Sequence, residues 1–269
     1  MEKVKNNDFS KLKKNKIILD NCELEFKKSS IQFNGEGNVI VFRGGINSEQ
    51  KRVLLEQSEI TCLGNNNLIF IYASKYTLKL IISLGYGCNV YIGENLFTAA
   101  PVNLISNERS NIVIGEWGLF ARDIWIRTSD MHMIYDIQSR SRINPNKDIV
   151  IGRHVWLGQD VTCLKGTIVG SGSCVGHGSL ISNENTKNAN AIYAGRPAKL
   201  VREGIKWRHK GTNSVTEEEL DNGTYQIFED DRFIYDNEKV LSEIDEMKRN
   251  LSELRDMDER IAYFKSITW

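Results

Sequence analysis

A six-residue repeat constrains the fold of this chain more than any other feature. From position 151 an aliphatic or small apolar residue recurs at every sixth position, and a compact or branched residue lies two positions before each. The first series comprises Ile151, Leu157, Cys163, Val169, Val175 and Ile181, and the second comprises Ile149, Val155, Val161, Thr167, Ser173 and Ser179. This period fits neither a helix nor simple strand alternation, but it is typical of a prism with three faces of short strands. Three hexapeptides then complete one coil of 18 residues, so Ile151 is expected to stack on Val169.

The register of the repeat also predicts a long loop. The interval from Ile114 to Ile151 is 37 residues, which equals one coil of 18 plus 19 more. Phe120 and Ile126 keep the six-residue spacing after Ile114, so the additional residues must leave the prism after Ile126. This excursion, at about 127–148, contains His132, one of only four histidines in the chain.

The flanks of the repeat are less regular. Degenerate coils are expected at 38–45, 66–72 and 76–87, where glycine and asparagine mark the corners, while residues 1 to about 30 form a weakly patterned lead-in. The pattern stops near 191–204, where Pro197 cannot continue a strand ladder. Farther on, a 4-3-4-3 apolar spacing predicts an amphipathic helix, which either packs on the prism or self-associates. This stripe comprises Val240, Ile244, Met247, Leu251 and Leu254. We therefore divide the chain into a β-helix domain at 1–207 and a C-terminal helical extension at 208–269.

Composition excludes several classes of partner. The 35 basic and 35 acidic residues give a formal net charge of zero, so no overall field attracts nucleic acid or an anionic membrane. The five cysteines are scattered and odd in number, and the N-terminus has no apolar signal core. No apolar run approaches the roughly 20 residues of a membrane span. We expect a cytoplasmic protein with no nucleic-acid partner and no integral membrane segment, placed at most peripherally at the glycan-synthesis machinery of the inner membrane.

Three stretches carry a resemblance to a known family. HVWLGQDVTCLKGTIVGSGSCVGHGSLI at 154–181 and YAGRPAKLVREGIKW at 193–207 resemble the hexapeptide-repeat acyltransferases. TSDMHMIYD at 128–136 is similar to the bacterial capsular and sialic acid polysaccharide O-acetyltransferases. The resemblance covers roughly 38–207 and no part of the extension. It implies an all-β solenoid, a left-handed parallel β-helix, with acetyl-CoA as donor, a homotrimer with sites at subunit borders, and a catalytic histidine on the protruding loop.

The predicted chemistry needs one base. Transfer of an acetyl group from a thioester to a sugar hydroxyl requires removal of the hydroxyl proton, and an imidazole is suited to this at neutral pH. His132 is the candidate, and either Asp130 or Asp136 would orient the ring and stabilise the imidazolium. Trp156 precedes the inward Leu157 and therefore points out of the prism. It either walls the active site, as the family implies, or packs in the trimer, whereas Trp125 is expected to pack under the loop.

Further residues are candidates for substrate contacts. Small residues at Gly158, Ser173 and Gly176 would let the pantetheine arm of CoA approach the backbone closely. Arg196 and Lys199 lie where the family places contacts to the nucleotide phosphates. For the acceptor, the candidates are the loop residues Arg127, Tyr135 and Arg140, and Arg122 and Arg142 add positive charge to the same cluster.

Three alternatives remain at this point. The same fold and donor serve N-acetylation of an amino sugar or nucleotide-sugar, and a non-catalytic solenoid scaffold is also permitted by the fold. Zinc is not expected, because His154 and His177 are 23 residues apart and do not stack on one face. Cys163 is an inward core position and Cys174 has no activating motif, so an acyl-cysteine intermediate is not expected.

Overall fold

The strands and helices of the chain were located in a computed structural model that describes residues 1–46, 49–228, 230–267 and 269. The strands of the first half are β1 (Glu2–Val4), β2 (Lys16–Asp20), β3 (Glu23–Lys27), β4 (Ser30–Phe33), β5 (Val39–Arg43), β6 (Arg52–Glu56), β7 (Glu59–Cys62), β8 (Leu68–Tyr72), β9 (Leu80–Leu84), β10 (Asn89–Ile92), β11 (Phe97–Thr98) and β12 (Val102–Ser106). Those of the second half are β13 (Asn111–Ile114), β14 (Leu119–Phe120), β15 (Trp125–Arg127), β16 (Ile149–Ile151), β17 (Trp156–Leu157), β18 (Thr162–Cys163), β19 (Ile168–Val169), β20 (Cys174–Val175), β21 (Leu180–Ile181), β22 (Ala191–Gly195) and β23 (Ala198–Glu203). The helices are α1 (Glu217–Asn222), α2 (Asn237–Glu253) and α3 (Met257–Ser266), with 3-10 turns at Thr212–Ser214 and Thr224–Gln226.

Successive coils contribute one strand to each of three faces. Sheet 1 has the order β1-β4-β7-β9-β12-β15-β18-β21, sheet 2 the order β19-β16-β13-β10-β8-β5-β2, and sheet 3 the order β11-β14-β17-β20-β22-β23. The separate pair β3-β6 provides the strands between sheets 2 and 1 in the first two coils. Pairing is parallel except at the ends, where β1 runs antiparallel to β4 and β23 to β22. The chain passes in each coil from sheet 2 through the third face to sheet 1.

The predicted stacking of the hexapeptides is confirmed. Ile151 pairs with Val169, Leu157 with Val175 and Cys163 with Ile181. One coil earlier, Ile114 pairs with Ile151 across the predicted loop, so the register survives the excursion. All of these side chains are buried in one continuous core.

The β-helix begins earlier than the sequence pattern indicated. Residues near 1–30 were expected to be a lead-in, yet β2 starts at Lys16 and pairs with β5 in the first full coil. The paired residues Lys16 and Val39 are 23 positions apart, and Val39 and Leu68 are 29 apart. A stack of buried asparagines fixes one corner, since the Asn38 amide donates to Asn15 at 2.9 Å and the Asn67 amide to Asn38 at 2.8 Å. These coils are therefore held by side-chain ladders rather than by a strict six-residue repeat.

The C-terminal extension packs on the outer face of sheet 2. Val240, Ile244, Met247 and Leu251 of α2 are buried, and they share an apolar cluster with outward residues of sheet 2 such as Phe70. Of the two interpretations of the apolar stripe, packing on the prism is the one confirmed. The predicted stretch contains two helices rather than one, because Asp256 caps the start of α3 with bonds to the amides of Asp258 and Glu259. No helix in the described part of the chain is long and apolar enough to cross a membrane.

Candidate active site

The loop that carries His132 is organised around one buried asparagine. The Asn144 amide nitrogen donates to the Asp130 carboxylate at 2.9 Å and to the His132 carbonyl at 2.8 Å, while its oxygen accepts from the Ile134 amide at 2.7 Å. Lys165, in the next coil, donates to Asp130 at 2.5 Å and joins the loop to the prism. Asn144 and Lys165 were not among the predicted residues, and their separation from Asp130 in the chain left no local signal. They fix the backbone on both sides of His132.

The His132 ring is exposed and makes no hydrogen bond within the described part of the chain. The Asp130 carboxylate is committed to Lys165 and Asn144, and these bonds lower the pKa of its carboxyl below the ordinary value. The Asp136 carboxylate accepts from the Ser139 amide at 2.7 Å, which lowers its pKa as well. Neither predicted partner therefore contacts the imidazole in a single chain, because both carboxylates hold the loop itself.

Trp156 lies on a different part of the prism from His132. The loop leaves between β15 of sheet 1 and β16 of sheet 2, whereas Trp156 belongs to β17 of sheet 3. In a triangular prism, the edge shared by two faces lies opposite the third face. The outward orientation predicted for Trp156 is confirmed, since its side chain remains 43% exposed. Trp125 is 41% exposed, so the expectation that the loop covers it is wrong.

The predicted CoA contacts separate into accessible and buried residues. Arg196 and Lys199 are exposed on the hairpin formed by β22 and β23, and neither makes an ion pair within the described residues. Gly176 is half-buried. Gly158 is buried, and a Cβ there would lie 2.8 Å from the Val175 carbonyl, so close packing of coils accounts for this glycine. A cofactor contact by Ser173 is not supported, because its fully buried hydroxyl donates to the Asn188 carbonyl at 3.0 Å.

The predicted acceptor residues differ in their freedom to bind a ligand. Arg140 is exposed, and Tyr135 is exposed with its hydroxyl 3.1 Å from the Met133 sulfur. Arg127 is half-buried, and its Nε has no hydrogen-bond partner among the described residues. Arg142 is not a free cation, since it donates to the Glu108 carboxylate at 2.9 Å. The exposed Arg122 lies in the corner that follows sheet 3, away from the loop tip.

An aromatic cluster that the sequence did not reveal lies beside Trp156. The His154 ring is 1% exposed and stacks between Trp207 at 3.9 Å and Phe233 at 3.8 Å, measured between ring centroids. Burial, with His209 nearby, lowers the pKa of His154 to about 3, so this ring is neutral at physiological pH. Trp207 in turn lies 6.0 Å from the Trp156 ring. The cluster supports the wall formed by Trp156 and supplies no base in solvent.

The remaining chemical alternatives have little basis in the described residues. Within them, no group of three or more His, Cys, Asp and Glu side chains could hold a metal ion. Burial raises the pKa of both Cys163 and Cys174 to about 12, so neither thiol is ionised at neutral pH. A cysteine nucleophile is therefore excluded at these two positions.

Several known proteins are similar to this chain. It is 35% identical over 158 residues to the polysialic acid O-acetyltransferase of Neisseria meningitidis, which covers 59% of this chain and 73% of that protein. It is 34% identical over 121 residues to the polysialic acid O-acetyltransferase of Escherichia coli O1:K1 / APEC, 45% of this chain and 38% of that protein. The crystal structure of the polySia specific acetyltransferase NeuO matches with a TM-score of 0.62 and 28% identity, over 79% of this chain and 93% of that one. The polysialic acid O-acetyltransferase OatWY matches with a TM-score of 0.51 and 26% identity, over 78% and 98%.

No protein-family model matches the chain. The stacked hexapeptide coils and the structural similarity place it among the acyltransferases that fold as a left-handed parallel β-helix, the fold class that the resemblance implied. Within this class, the chain belongs to the family of bacterial polysaccharide O-acetyltransferases, because it covers 73% of a relative to which it is 35% identical. It is an acetyltransferase, and its acetyl donor is acetyl-CoA.

Proposed function

We propose that this protein transfers an acetyl group from acetyl-CoA to a hydroxyl of an acidic bacterial surface polysaccharide, with His132 as general base. The observation that carries the proposal is the loop geometry. Asn144 and Lys165 hold the backbone around His132, yet the imidazole itself has no hydrogen-bond partner in the described residues. A side chain fixed in this way and left accessible is suited to bind a proton from an incoming substrate.

The reaction requires one proton to move twice. The imidazole removes the proton from the sugar hydroxyl as the oxygen attacks the thioester carbon, which forms the new C–O bond and a tetrahedral intermediate. The C–S bond then breaks, the acetyl ester remains on the sugar, and the imidazolium returns the proton to the departing thiolate of CoA. One residue thus serves as base and then as acid.

We further propose that the site is completed between two copies of the chain in a homotrimer. His132 and Trp156 lie at opposite sides of one prism, so a site containing both requires a second prism. Several large apolar side chains of the loop are also more than half exposed in the single chain: Met131, Met133, Ile134, Tyr135, Ile137 and Ile143. Contact of this loop with sheet 3 of a neighbour would cover them and place His132 near Trp156.

The proposed site also includes the donor and acceptor contacts. Arg196 and Lys199 would pair with the phosphates of CoA, and Gly176 would let its pantetheine arm lie against the coil. Arg127, Tyr135 and Arg140 would contact the acceptor. An Asp130 or Asp136 contact with His132 would require a rearrangement of the loop. We place the enzyme in the cytoplasm, where acetyl-CoA is available, with any contact to the inner membrane peripheral.

The test measures release of the CoA thiol with polysialic acid, a neutral oligosaccharide or no acceptor. We expect release that depends on the acidic glycan, and an ester on the product that mild base removes. An amide product, which resists mild base, would indicate N-acetylation instead. Absence of transfer to any glycan would contradict the proposed function.

A further inference from the structure

A pocket of about 320 Å³ lies on the edge between sheets 1 and 2, where α2 meets α3. The prism contributes Tyr86 and Arg109 to its lining, and the C-terminal extension contributes Leu254, Arg255 and Arg260. The extension therefore does more than cover sheet 2, because its inter-helix turn completes a concave surface on the same edge from which the loop of His132 leaves.

The charge of this pocket is strongly positive. Its lining contains three guanidinium groups and no carboxylate, and none of the three makes an ion pair within the described residues. Arg109 and Arg255 are exposed, whereas Arg260 is 5% exposed. The nearest balancing charge is Asp256, whose carboxylate caps α3 and bonds to amides there. Because the chain as a whole is neutral, such a local excess of positive charge is not a consequence of composition.

A chain of hydrogen bonds fixes the buried guanidinium in place. Arg260 donates from Nη1 to the Asn66 carbonyl and to the Asn89 side-chain oxygen, both at 3.0 Å. The Asn89 amide donates to Asn111 at 2.7 Å, and the Asn111 amide donates to Asp148 at 2.9 Å. Asp148 is the residue at which the loop of His132 rejoins the prism. The pocket and the base of the loop are thus connected by one rigid polar network.

The pocket continues toward the loop as a groove. Tyr86 also lines a second pocket of about 270 Å³, whose other walls include Glu108, Met131 and Arg142. Met131 directly precedes His132. The carboxylate of Glu108 is paired with Arg142, so it does not oppose an anion in the groove. With about 4.8 Å between adjacent coils, the corner of Asn66 and the loop are three coils, roughly 14 Å, apart along the edge.

We propose that this groove binds the acceptor polymer beyond the sugar that is acetylated, and that Arg109, Arg255 and Arg260 recognise a carboxylate of an acidic sugar there. The proposal rests on the proposed function, and it specifies a polymer rather than a monomeric precursor as acceptor. A guanidinium binds a carboxylate through charge-assisted, frequently bidentate bonds, and an extended groove that ends at His132 favours a chain of several sugars.

The experiment compares acetyl transfer by the full-length protein to a sialic acid disaccharide and to long polysialic acid. We expect the double variant Arg109→Gln/Arg255→Gln to lower kcat/KM roughly tenfold for the long polymer and less than about twofold for the disaccharide. Both residues are exposed, so the variant should fold. Arg249→Gln is the matched control, since it removes an exposed arginine of α2 that does not line the pocket. An equal change for both acceptors, or none, would overturn the proposal.

A binding measurement separates the groove from the chemistry. Fluorescently labelled long polysialic acid is titrated with the protein at low and high salt. Binding that weakens roughly tenfold in the double variant, and that high salt also weakens, supports the groove even where no acetyl group is transferred. Absence of binding by the unaltered protein, or equal binding by the variant, overturns it. Loss of transfer with binding intact contradicts the proposed function alone.

Discussion

Sheet 2 and sheet 3 are built from the same coils, yet the chain treats their outer faces differently. On sheet 2 both sides are apolar: strands β5, β8, β10, β13 and β16 bury nearly every residue, and α2 and α3 cover the outward ones. On sheet 3 the short strand β17 buries Leu157 and leaves Trp156 exposed. The chain thus supplies its own cover for one face and leaves the other with an accessible indole. A face without an internal cover is available for a neighbouring chain and a substrate.

The largest expected effect tests the face-independent chemistry. His132→Ala should lower turnover by about 10² to 10⁴, because it removes the proposed base while Asn144 still binds the main-chain carbonyl at that position. The measurement is the initial rate of thiol release with saturating acetyl-CoA and polysaccharide. Thermal unfolding and acetyl-CoA affinity should stay as in the unaltered protein. Turnover within twofold of the original would remove His132 from the mechanism.

The next prediction concerns the covered face. Phe264 of α3 is fully buried, with its ring 5.3 Å from Tyr91 and 6.0 Å from Phe70. Phe264→Ala should lower the free energy of unfolding by about 3–5 kcal/mol, since the cavity loses these contacts with sheet 2. Urea denaturation measures this change. A loss below about 1 kcal/mol would mean that the extension is not an integral part of the fold.

On the open face we expect the opposite ratio. Trp156→Ala should lower turnover about tenfold, equivalent to about 1.4 kcal/mol, because the indole is proposed to wall the site between two chains. Its effect on unfolding should stay within about 0.5 kcal/mol, as for other partly exposed positions. Trp125→Ala is the matched control, since that indole is exposed to the same extent on sheet 1. Stability lost without turnover lost would assign Trp156 to trimer packing only.

The regular coils could be predicted from the sequence because their periodicity is local. Each pair such as Ile151 and Val169 is visible as a spacing of 18, and a single spacing anomaly located the loop. The coils before position 38 could not be found in this way, because their lengths of 23 and 29 residues follow from asparagine ladders and corner insertions. The start of the β-helix at Lys16 is therefore known only from the fold.

The site was predictable only where its residues lie close in sequence or in register. His132 and Trp156 followed from the loop and from strand alternation. By contrast, the Lys165 bond to Asp130 joins residues 35 positions apart, and the Arg260 bond to Asn89 joins residues 171 apart. Ser173 was proposed as a CoA contact from its small size, but its place in the inward series already implied burial. Long-range pairs of this kind leave no trace in a local pattern.

The smallest expected effect concerns the contact between the loop and the next coil. Lys165→Met removes the partner of Asp130 and should lower turnover by a factor of about two to three, because a half-exposed ion pair contributes little and Asn144 still holds the loop. The pKa of the Asp130 carboxyl lies below its ordinary value, chiefly because of the Lys165 bond. A carboxyl with a lowered folded-state pKa keeps its contact above the ordinary pKa and loses it as the pH falls through the lower value. The ratio of variant to original turnover should therefore stay constant from about pH 5 to pH 8 and approach one only under strongly acidic conditions. Lys187→Met, which removes an exposed pair with Glu184, is the control and should change neither rate nor ratio. A ratio that varies within that window would show that Asp130 titrates there, and with it that the loop is held by something other than this ion pair.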